Sequence, residues 1–213
     1  MAETKKKKIK IHEIDSLGAH RGWECVNYSR LQPDKFGITP KISWPDGKFS
    51  VTAGPWTLPV FVEPPHIVID RKIRRPDWDV QYKDGCLFIS GKFRNLIKEV
   101  APDTCEFRPC VTEFRNGEQG PEIWLCSPIK AFAQTIDLVK SHVQVSGYGF
   151  YMNPGIFDRM RLSFVETEMV EVHLFRIAEM SNGIFCDDFF KMKCREAGIK
   201  SISFKEIGEL PAS

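Results

Sequence analysis

Three side-chain types that hydrolases combine occur together in one short stretch: Asp137, Ser141 and His142 lie within six residues. In a Ser-His-Asp triad the histidine takes the serine proton and the carboxylate orients the histidine, so the three groups must meet in space. A serine nucleophile of this kind often stands on a sharp strand-to-helix turn of the form G-x-S-x-G. The stretch around Ser141 lacks that motif, so the sequence favours structural roles for these residues.

His173, Asp187 and Asp188 are further residues that could transfer protons. His173 lies in residues 171–175 (EVHLF), which we predict to form a strand, and we expect a partly buried, hydrogen-bonded histidine there. Asp187 and Asp188 stand at the predicted start of a helix, where capping and the helix dipole account for acidic residues. A hydrolase or transferase that uses His142 or His173 is the main alternative function.

The cysteines and the known short motifs indicate neither a metal site nor a cofactor site. The chain has seven cysteines, an odd number, and begins with a charged stretch, so we expect reduced thiols and a cytoplasmic location. Cys105 and Cys110 are the closest pair, and they fall short of the four ligands of a structural zinc ion. The sequence has no glycine-rich phosphate loop, no H-E-x-x-H and no C-x-x-C motif.

A glycine- and proline-rich segment, residues 147–161 (GYGFYMNPGIFDRMR), is the strongest candidate for a binding site. Aromatic, methionine and arginine side chains are enriched at the centres of protein–protein interfaces. If the loop is exposed, it is suited to bind a protein; if it folds back, the same side chains form a small satellite core. The candidate partner-binding residues are Tyr148, Phe150, Tyr151, Met152, Phe157 and Arg159.

Composition and charge exclude several classes of protein. The chain of 213 residues has 30 basic and 28 acidic side chains, and 42% of its residues are hydrophobic. Such a chain can build a proper core, and its near-neutral body offers no general field for nucleic acid. No apolar run is long enough for a membrane span. We therefore predict neither a nucleic acid nor a membrane as partner, and the sequence leaves the oligomeric state open.

Residues 1–75 differ in amino-acid composition from the rest of the chain. Seven prolines between residues 31 and 65 interrupt short β-prone pieces, so we predict a β-rich part without long helices. Residues 9–14 alternate apolar and polar side chains and predict an edge strand. A basic segment at residues 71–75 precedes Trp78 and could bind an acidic surface. A further alternative function is ligand binding through tryptophans that could stack on a sugar or a base, namely Trp23, Trp44, Trp56 and Trp78.

Residues 76–213 contain a pattern that occurs twice, at residues 87–107 and 184–204. Both copies predict a strand, a capped helix, a turn and a second strand, and aligned without a gap they match phenylalanines and helix caps. Between the copies we predict strands at residues 105–112, 122–126, 143–146, 161–165 and 171–175. The fold class that follows is α+β, with mixed or antiparallel sheets and a duplicated strand-helix-strand unit.

The order and spacing of motifs over residues 76–207 resemble a known family. The residues that carry the likeness are Pro76-Asp77, Leu87-Phe88-Ile89-Ser90, Phe93, Leu96, Glu106-Phe107-Arg108-Pro109-Cys110, Ile136-Asp137, Ser141, Leu174-Phe175-Arg176-Ile177, Gly183-Ile184-Phe185-Cys186-Asp187-Asp188, Gly198-Ile199 and Phe204. In this order they are similar to immunity protein family eleven of bacterial polymorphic-toxin systems.

The resemblance implies a cytoplasmic protein that binds and neutralises a cognate toxin domain, without catalytic residues of its own. Among the matched positions, Asp137 and Arg176 lie on otherwise apolar stretches, and we predict that they form a buried ion pair whose loss would unfold the protein. A basic toxin would require an acidic surface, which Glu166, Glu168 and Glu171 could supply.

Overall fold

The computed structural model describes residues 8–17, 22–27, 42–43, 50–51, 57–58, 61, 63–70, 72, 78–83, 85–147, 149–155, 159–165, 168–180 and 182–211. The helices are α1 (Gly91–Val100) and α2 (Asp188–Glu196), and a 3₁₀ helix spans Glu168–Glu171. The strands are β1 (Lys8–Ser16), β2 (Trp23–Cys25), β3 (Ile42–Ser43), β4 (Ser50–Val51), β5 (His66–Ile69), β6 (Val80–Lys83), β7 (Cys86–Ser90), β8 (Cys105–Pro109), β9 (Val111–Phe114), β10 (Ile123–Pro128), β11 (Ala131–Phe132), β12 (Gln144–Val145), β13 (Tyr151–Met152), β14 (Leu162–Ser163), β15 (Leu174–Ile177), β16 (Phe185–Asp187) and β17 (Ile202–Pro211).

The largest sheet has six strands in the order β11-β15-β16-β1-β17-β14. β1 is antiparallel to both of its neighbours, whereas the outer pairs β11–β15 and β14–β17 are parallel. The prediction that residues 9–14 form an edge strand is wrong, because hydrogen bonds to β16 and β17 occupy both sides of β1. The alternating pattern was right, and it places Ile11 and Ile14 in two different core clusters.

A second sheet has four antiparallel strands in the order β6-β7-β10-β8. Its strand β7 is an unbroken apolar run because the sheet is covered on both faces. Leu87 and Ile89 belong to the cluster that contains α1, whereas Cys86 and Phe88 pack towards a three-stranded sheet in the order β2-β5-β9.

The predicted strand at residues 105–112 is two strands in two different sheets. Pro109 ends β8, where the pairing with β10 also ends, and a proline has no N–H to donate to a ladder. From Val111 onward the chain pairs in parallel with β5 instead. The strand predicted at residues 171–175 is also displaced: the 3₁₀ helix ends at Glu171, and β15 begins at Leu174.

Both helices begin at the predicted caps. The Ser90 hydroxyl accepts a hydrogen bond from the Phe93 N–H at 3.2 Å, and an Asp187 carboxylate oxygen accepts one from the Phe190 N–H at 2.9 Å. One face of α1 is buried, with Phe93, Leu96, Ile97 and Val100, and α2 buries Phe190 and Cys194. After α2, Gly198 has a left-handed φ of +60°, which is common for the glycine that follows a helix.

The two helices share one core. Phe93 and Phe190 lie with their ring centroids 6.2 Å apart, and the surrounding cluster contains Leu87, Ile89 and Leu174 from both large sheets. A second cluster covers the outer face of the four-stranded sheet, and a third covers the outer face of the six-stranded sheet. The predicted α+β class with mixed and antiparallel sheets is confirmed.

The repeated segments have the same element order in the structure. β7 and β8 flank the antiparallel strand β10 and are joined through α1, and β16 and β17 flank the antiparallel strand β1 and are joined through α2. The central strand comes from a different part of the chain in each arrangement: β10 follows its unit, whereas β1 lies at the start of the described chain. Duplication of the unit stays a prediction, since a shared arrangement does not test common origin.

Strands from both sides of residue 75 pair with each other. β1 pairs with β16 and β17, and β5 pairs with β9. The division into parts 1–75 and 76–213 stays a prediction based on composition. Among the described helices, none is long and apolar enough to cross a membrane.

Candidate functional site

Part of the chain between residues 135 and 165 forms a unit on the edge of the six-stranded sheet. We call its described residues, 135–147, 149–155 and 159–165, the hairpin unit. The start of the unit runs antiparallel to its end: Ile136 pairs with Phe164, and His142 pairs with Arg161. Because β14 lies in the end of the unit and pairs with β17, the start of the unit extends the six-stranded sheet beyond β14. The bonds that join the ends are Val165 N–H to Thr135 O (3.0 Å), Asp137 N–H to Ser163 O (2.8 Å), His142 N–H to Arg161 O (2.8 Å) and Arg161 N–H to His142 O (3.1 Å).

A small two-stranded hairpin projects from the middle of this unit. Its strands β12 and β13 pair antiparallel, with Gln144 opposite Met152 and Val145 opposite Tyr151. The Ser146 N–H donates to the Phe150 carbonyl at 2.8 Å and the Ser146 hydroxyl accepts from the Phe150 N–H at 3.0 Å. These bonds close the turn that the glycine-rich sequence predicted.

The predicted binding residues divide into anchors and exposed groups. Phe150 and Tyr151 are half-buried, and Tyr151 packs against the third core cluster while its N–H donates to the Glu179 carbonyl at 2.9 Å. Burial raises the pKa of Tyr151 to about 12. Met152 and Arg159 are exposed, and Tyr148 and Phe157 lie outside the described residues.

Exposed apolar side chains are concentrated on the hairpin unit. Of the ten large hydrophobic side chains that are exposed in the described part of the chain, five belong to this unit. Val139 is the extreme case, with 97% of its surface accessible. Of these five, only Met152 was predicted as a binding residue. The other four were not, because a single valine or leucine in a sequence usually indicates a core residue. The five are Leu138, Val139, Val145, Met152 and Val165.

Asp137 shapes the turn that exposes Val139. Its carboxylate accepts hydrogen bonds from the N–H groups of Val139 (3.1 Å) and Lys140 (3.2 Å) and pairs with the Lys140 ammonium at 2.9 Å. The bonds to Lys140 hold the pKa of Asp137 below its ordinary value. The prediction that Asp137 and Arg176 form an ion pair is therefore wrong, because the Asp137 carboxylate bonds to Val139 and Lys140 in a surface turn.

Arg176 lies elsewhere, fully buried on β15 between the two large sheets. Its guanidinium donates to the carbonyls of Pro128 (3.0 Å) and Gly85 and to the Ser127 hydroxyl (3.1 Å). Burial lowers the pKa of Arg176. The residue joins β15 to the end of β10 and to the turn before β7, which is a structural role.

A groove runs beside the hairpin unit, along β14 and the end of β17. Its volume is about 1060 Å³, within the range of ligand-sized clefts. The floor contains Met160, Leu162 and Ile207, which are all buried. The rim is charged, and its ionisable residues are Lys8, Arg159, Arg161, Glu206 and Glu209.

The backbone at Gly208 makes this groove possible. β14 and β17 pair in parallel with Leu162 beside Gly208. A β-carbon added at Gly208 would lie 2.1 Å from the Leu162 carbonyl oxygen, closer than any such contact can be. A glycine is therefore required for β14 to approach.

The three residues that a Ser-His-Asp triad would need do not meet. The Ser141 hydroxyl accepts from the Ser163 N–H at 2.8 Å, the Asp137 carboxylate belongs to its own turn, and His142 is exposed. Within the described residues these side chains share no hydrogen bond, so the arrangement does not provide a triad.

Both acidic residues at the start of α2 hold a histidine. His173 Nδ1 lies 2.8 Å from an Asp187 carboxylate oxygen, and its ring stacks on Phe189 with centroids 4.6 Å apart. The expected partly buried, hydrogen-bonded state of His173 is confirmed. His12, which the sequence did not single out, is fully buried on β1 with Nε2 2.8 Å from Asp188. These pairs fasten the start of α2 to its neighbours.

The remaining predicted sites have little support in the structure. Trp23 and Trp78 are buried and pack together with centroids 5.9 Å apart, so they form core; Trp44 and Trp56 lie outside the described residues. In the basic segment only Lys72 is described. Of the predicted acidic patch, Glu171 is exposed, whereas Glu166 and the side chain of Glu168 are not described.

The described residues also contain no arrangement typical of a metal centre. No group of three or more histidine, cysteine, aspartate or glutamate side chains within them is placed to hold an ion. All seven cysteines are free thiols, as expected, and five of them are buried. They are Cys25, Cys86, Cys126, Cys186 and Cys194.

Comparison with known families gives the assignment that the geometry leaves open. The model of the Immunity protein family (Imm11) matches residues 8–209, almost the whole described chain. The chain belongs to the immunity protein family Imm11. The match begins at β1, so it includes much of the N-terminal part, for which the sequence suggested no relative. A search of the curated proteins found no match.

Membership of Imm11 gives the exposed hairpin unit a context. The features that stand out on the described surface are the exposed apolar side chains of this unit and the charged groove.

Proposed function

We propose that the chain is an immunity protein that binds a cognate toxin domain in the cytoplasm and neutralises it by covering its active surface. The family assignment supports this proposal, since the Imm11 model matches residues 8–209. The chain would act by association, with no catalysis and no cofactor of its own.

We further propose that the hairpin unit is the toxin-binding surface. The observation that carries this step is the concentration of exposed hydrophobic side chains there, half of those in the described chain. Exposed apolar side chains that are concentrated on one part of a protein commonly mark a protein-binding site. The unit is fastened to the body by the packing of Tyr151 and by hydrogen bonds from the Tyr151 N–H to the Glu179 carbonyl and from the Phe164 N–H to the Glu209 carbonyl, so its outer face is presented on a supported scaffold.

A growth assay tests both parts of the proposal. The toxin domain encoded beside this chain would be expressed with and without it, and wild-type chain is expected to restore growth and to co-purify with the toxin. A stable interface buries on the order of 1,600 Å² in total, and substitutions at its centre remove most of the affinity. The double variant Val139→Asp/Met152→Asp should therefore lose rescue.

The control changes two exposed hydrophobic residues on α2. Phe189 and Met192 are 40% and 44% exposed, similar to Met152 at 42%. Phe189→Asp/Met192→Asp should rescue growth as wild type does. Loss of rescue in the α2 variant alone would move the binding surface to α2, and absence of rescue by wild type would contradict toxin neutralisation for that pair.

A further inference from the structure

The rim of the groove beside β14 carries an uncompensated positive charge. Glu209 pairs with Lys8 at 2.6 Å and Glu206 pairs with Lys10 at 2.8 Å, so both acidic residues of the groove are already matched by lysines of β1. The bonds to Lys10 also hold the pKa of Glu206 below its ordinary value, which keeps it ionised. The acidic residues are therefore not available to the groove arginines.

The two arginines of the groove lack such partners. Arg159 and Arg161 are both exposed and line the same rim. Among the described residues, neither guanidinium has an ion pair or a side-chain hydrogen bond, although the backbone of Arg161 is bonded to His142. A guanidinium presents a planar fork of donors that matches a carboxylate, so two of them side by side favour an acidic partner.

The shape of the groove limits what that partner can be. Its floor is apolar, with Met160, Leu162 and Ile207, and its volume of about 1060 Å³ accommodates several side chains. The paired glutamates on the far side disfavour a continuous polyanion such as nucleic acid. An extended peptide that alternates acidic and apolar side chains satisfies both the floor and the rim.

We infer that the groove along β14 and the end of β17 holds an acidic segment of the toxin, with Arg159 and Arg161 binding its carboxylates. This inference rests on the proposed function and names the chemistry of the partner at that surface. Residues 159–163 of the hairpin unit line the groove, so one partner can cover both the groove and the rest of the unit.

The test measures the dissociation constant of the complex between the full chain and the toxin domain. The variant Arg159→Glu/Arg161→Glu should raise Kd at least tenfold, because it places like charges opposite the acidic segment. Arg159→Lys/Arg161→Lys keeps the charge and should bind more tightly than the glutamate variant. Binding by wild type should weaken as salt is raised, and the glutamate variant should lose this salt dependence.

The control reverses two exposed charges far from the groove. Lys130 lies beside β11, at the opposite edge of the six-stranded sheet, and Arg195 lies on α2. Lys130→Glu/Arg195→Glu makes the same change in net charge and should leave Kd within about twofold of wild type. Circular dichroism should show that all three variants are folded.

Each failure has a distinct meaning. A wild-type complex whose Kd is unchanged by Arg159→Glu/Arg161→Glu overturns the groove inference and leaves toxin binding standing. Equal losses in the groove variant and in the control variant would reveal a general charge effect, which also overturns the inference. If wild type forms no complex, the proposed function fails and the groove inference fails with it. Groove-dependent binding of an oligonucleotide, with the toxin complex unaffected, would assign the groove to nucleic acid instead.

Discussion

At the scale of single residues, Arg176 is the buried charge on which the join between the two large sheets depends. Its donors serve the Pro128 carbonyl, the Gly85 carbonyl and the Ser127 hydroxyl, all of them away from bulk water. Arg176→Met fills a similar volume but leaves these acceptors without their donors, at a cost of about 1–3 kcal/mol for each buried group. We expect unfolding in urea to show a loss of at least about 2 kcal/mol.

Arg115→Met is the corresponding surface control. Arg115 is 65% exposed and pairs with Asp70 at 3.2 Å, and exposed pairs contribute up to about 1 kcal/mol. Its loss should change stability much less than the loss of Arg176. Equal stability of Arg176→Met and wild type would show that the buried guanidinium does not hold the sheets together.

The Glu179 carboxyl, which lies beneath the hairpin unit, makes the stability of the folded state depend on pH. One of its carboxylate oxygens accepts from the Gln134 N–H at 2.7 Å, while the other is buried without a hydrogen-bond partner among the described residues. Burial raises the pKa of Glu179 above its ordinary 4.5. The folded state then binds the proton more tightly than the unfolded state, so stability from this residue is present at low pH and lost as pH rises through the raised pKa.

Glu179→Gln removes that penalty because an amide keeps the acceptor for Gln134 and carries no charge. The variant should be more stable than wild type at pH 7, and the difference should shrink as pH falls towards 4. Thermal unfolding between pH 4 and 8 measures both curves. A constant difference across this range would mean that Glu179 does not titrate with folding.

At the scale of elements, the contact between β14 and β17 shapes the groove. Gly208→Ala should force the two strands apart, since the added carbon would lie 2.1 Å from the Leu162 carbonyl oxygen. We expect lower thermal stability and weaker toxin binding. Gly147→Ala is the matched control for stability, because nothing lies within 4 Å of the added carbon there. If Gly208→Ala is as stable as Gly147→Ala and binds the toxin as wild type does, the close strand contact is not required.

Elements with strong local signals were predictable, and elements defined by distant pairing were not. The caps at Ser90 and Asp187 and the stripe of α1 follow from spacing, and the structure has all of them. β1 was recognised as a strand but placed at an edge, because nothing in residues 9–14 states that β16 and β17, nearly 200 residues away, will pair with both sides.

The candidate site shows the same limit. The turn chemistry and amphipathic composition of residues 147–161 pointed to a binding segment, yet Leu138, Val139 and Val145 were missed because exposure depends on how the hairpin unit docks. The sequence suggested that Asp137 and Arg176 pair with each other. In the structure Asp137 accepts hydrogen bonds within a local turn, whereas Arg176 donates to carbonyls that are distant in the sequence.

At the scale of the whole molecule, the described structure is a scaffold of two large sheets around two helices, with the hairpin unit on one edge. Most of its buried ionisable groups serve packing: Arg176 joins sheets, and His12 and Asp187 fasten α2. Of the strands from the N-terminal part, β1 lies in the six-stranded sheet, and β2 and β5 lie in the three-stranded sheet. The exposed apolar edge and the charged groove of this scaffold support the proposed role in binding a toxin domain.

Hydrogen–deuterium exchange of the full chain, with and without the toxin domain encoded beside it, tests this account most directly. We predict slowed exchange in the complex over residues 135–165 and along the end of β17, with little change on α2. No change anywhere would contradict toxin binding, and protection confined to α2 would contradict the hairpin unit as the binding surface.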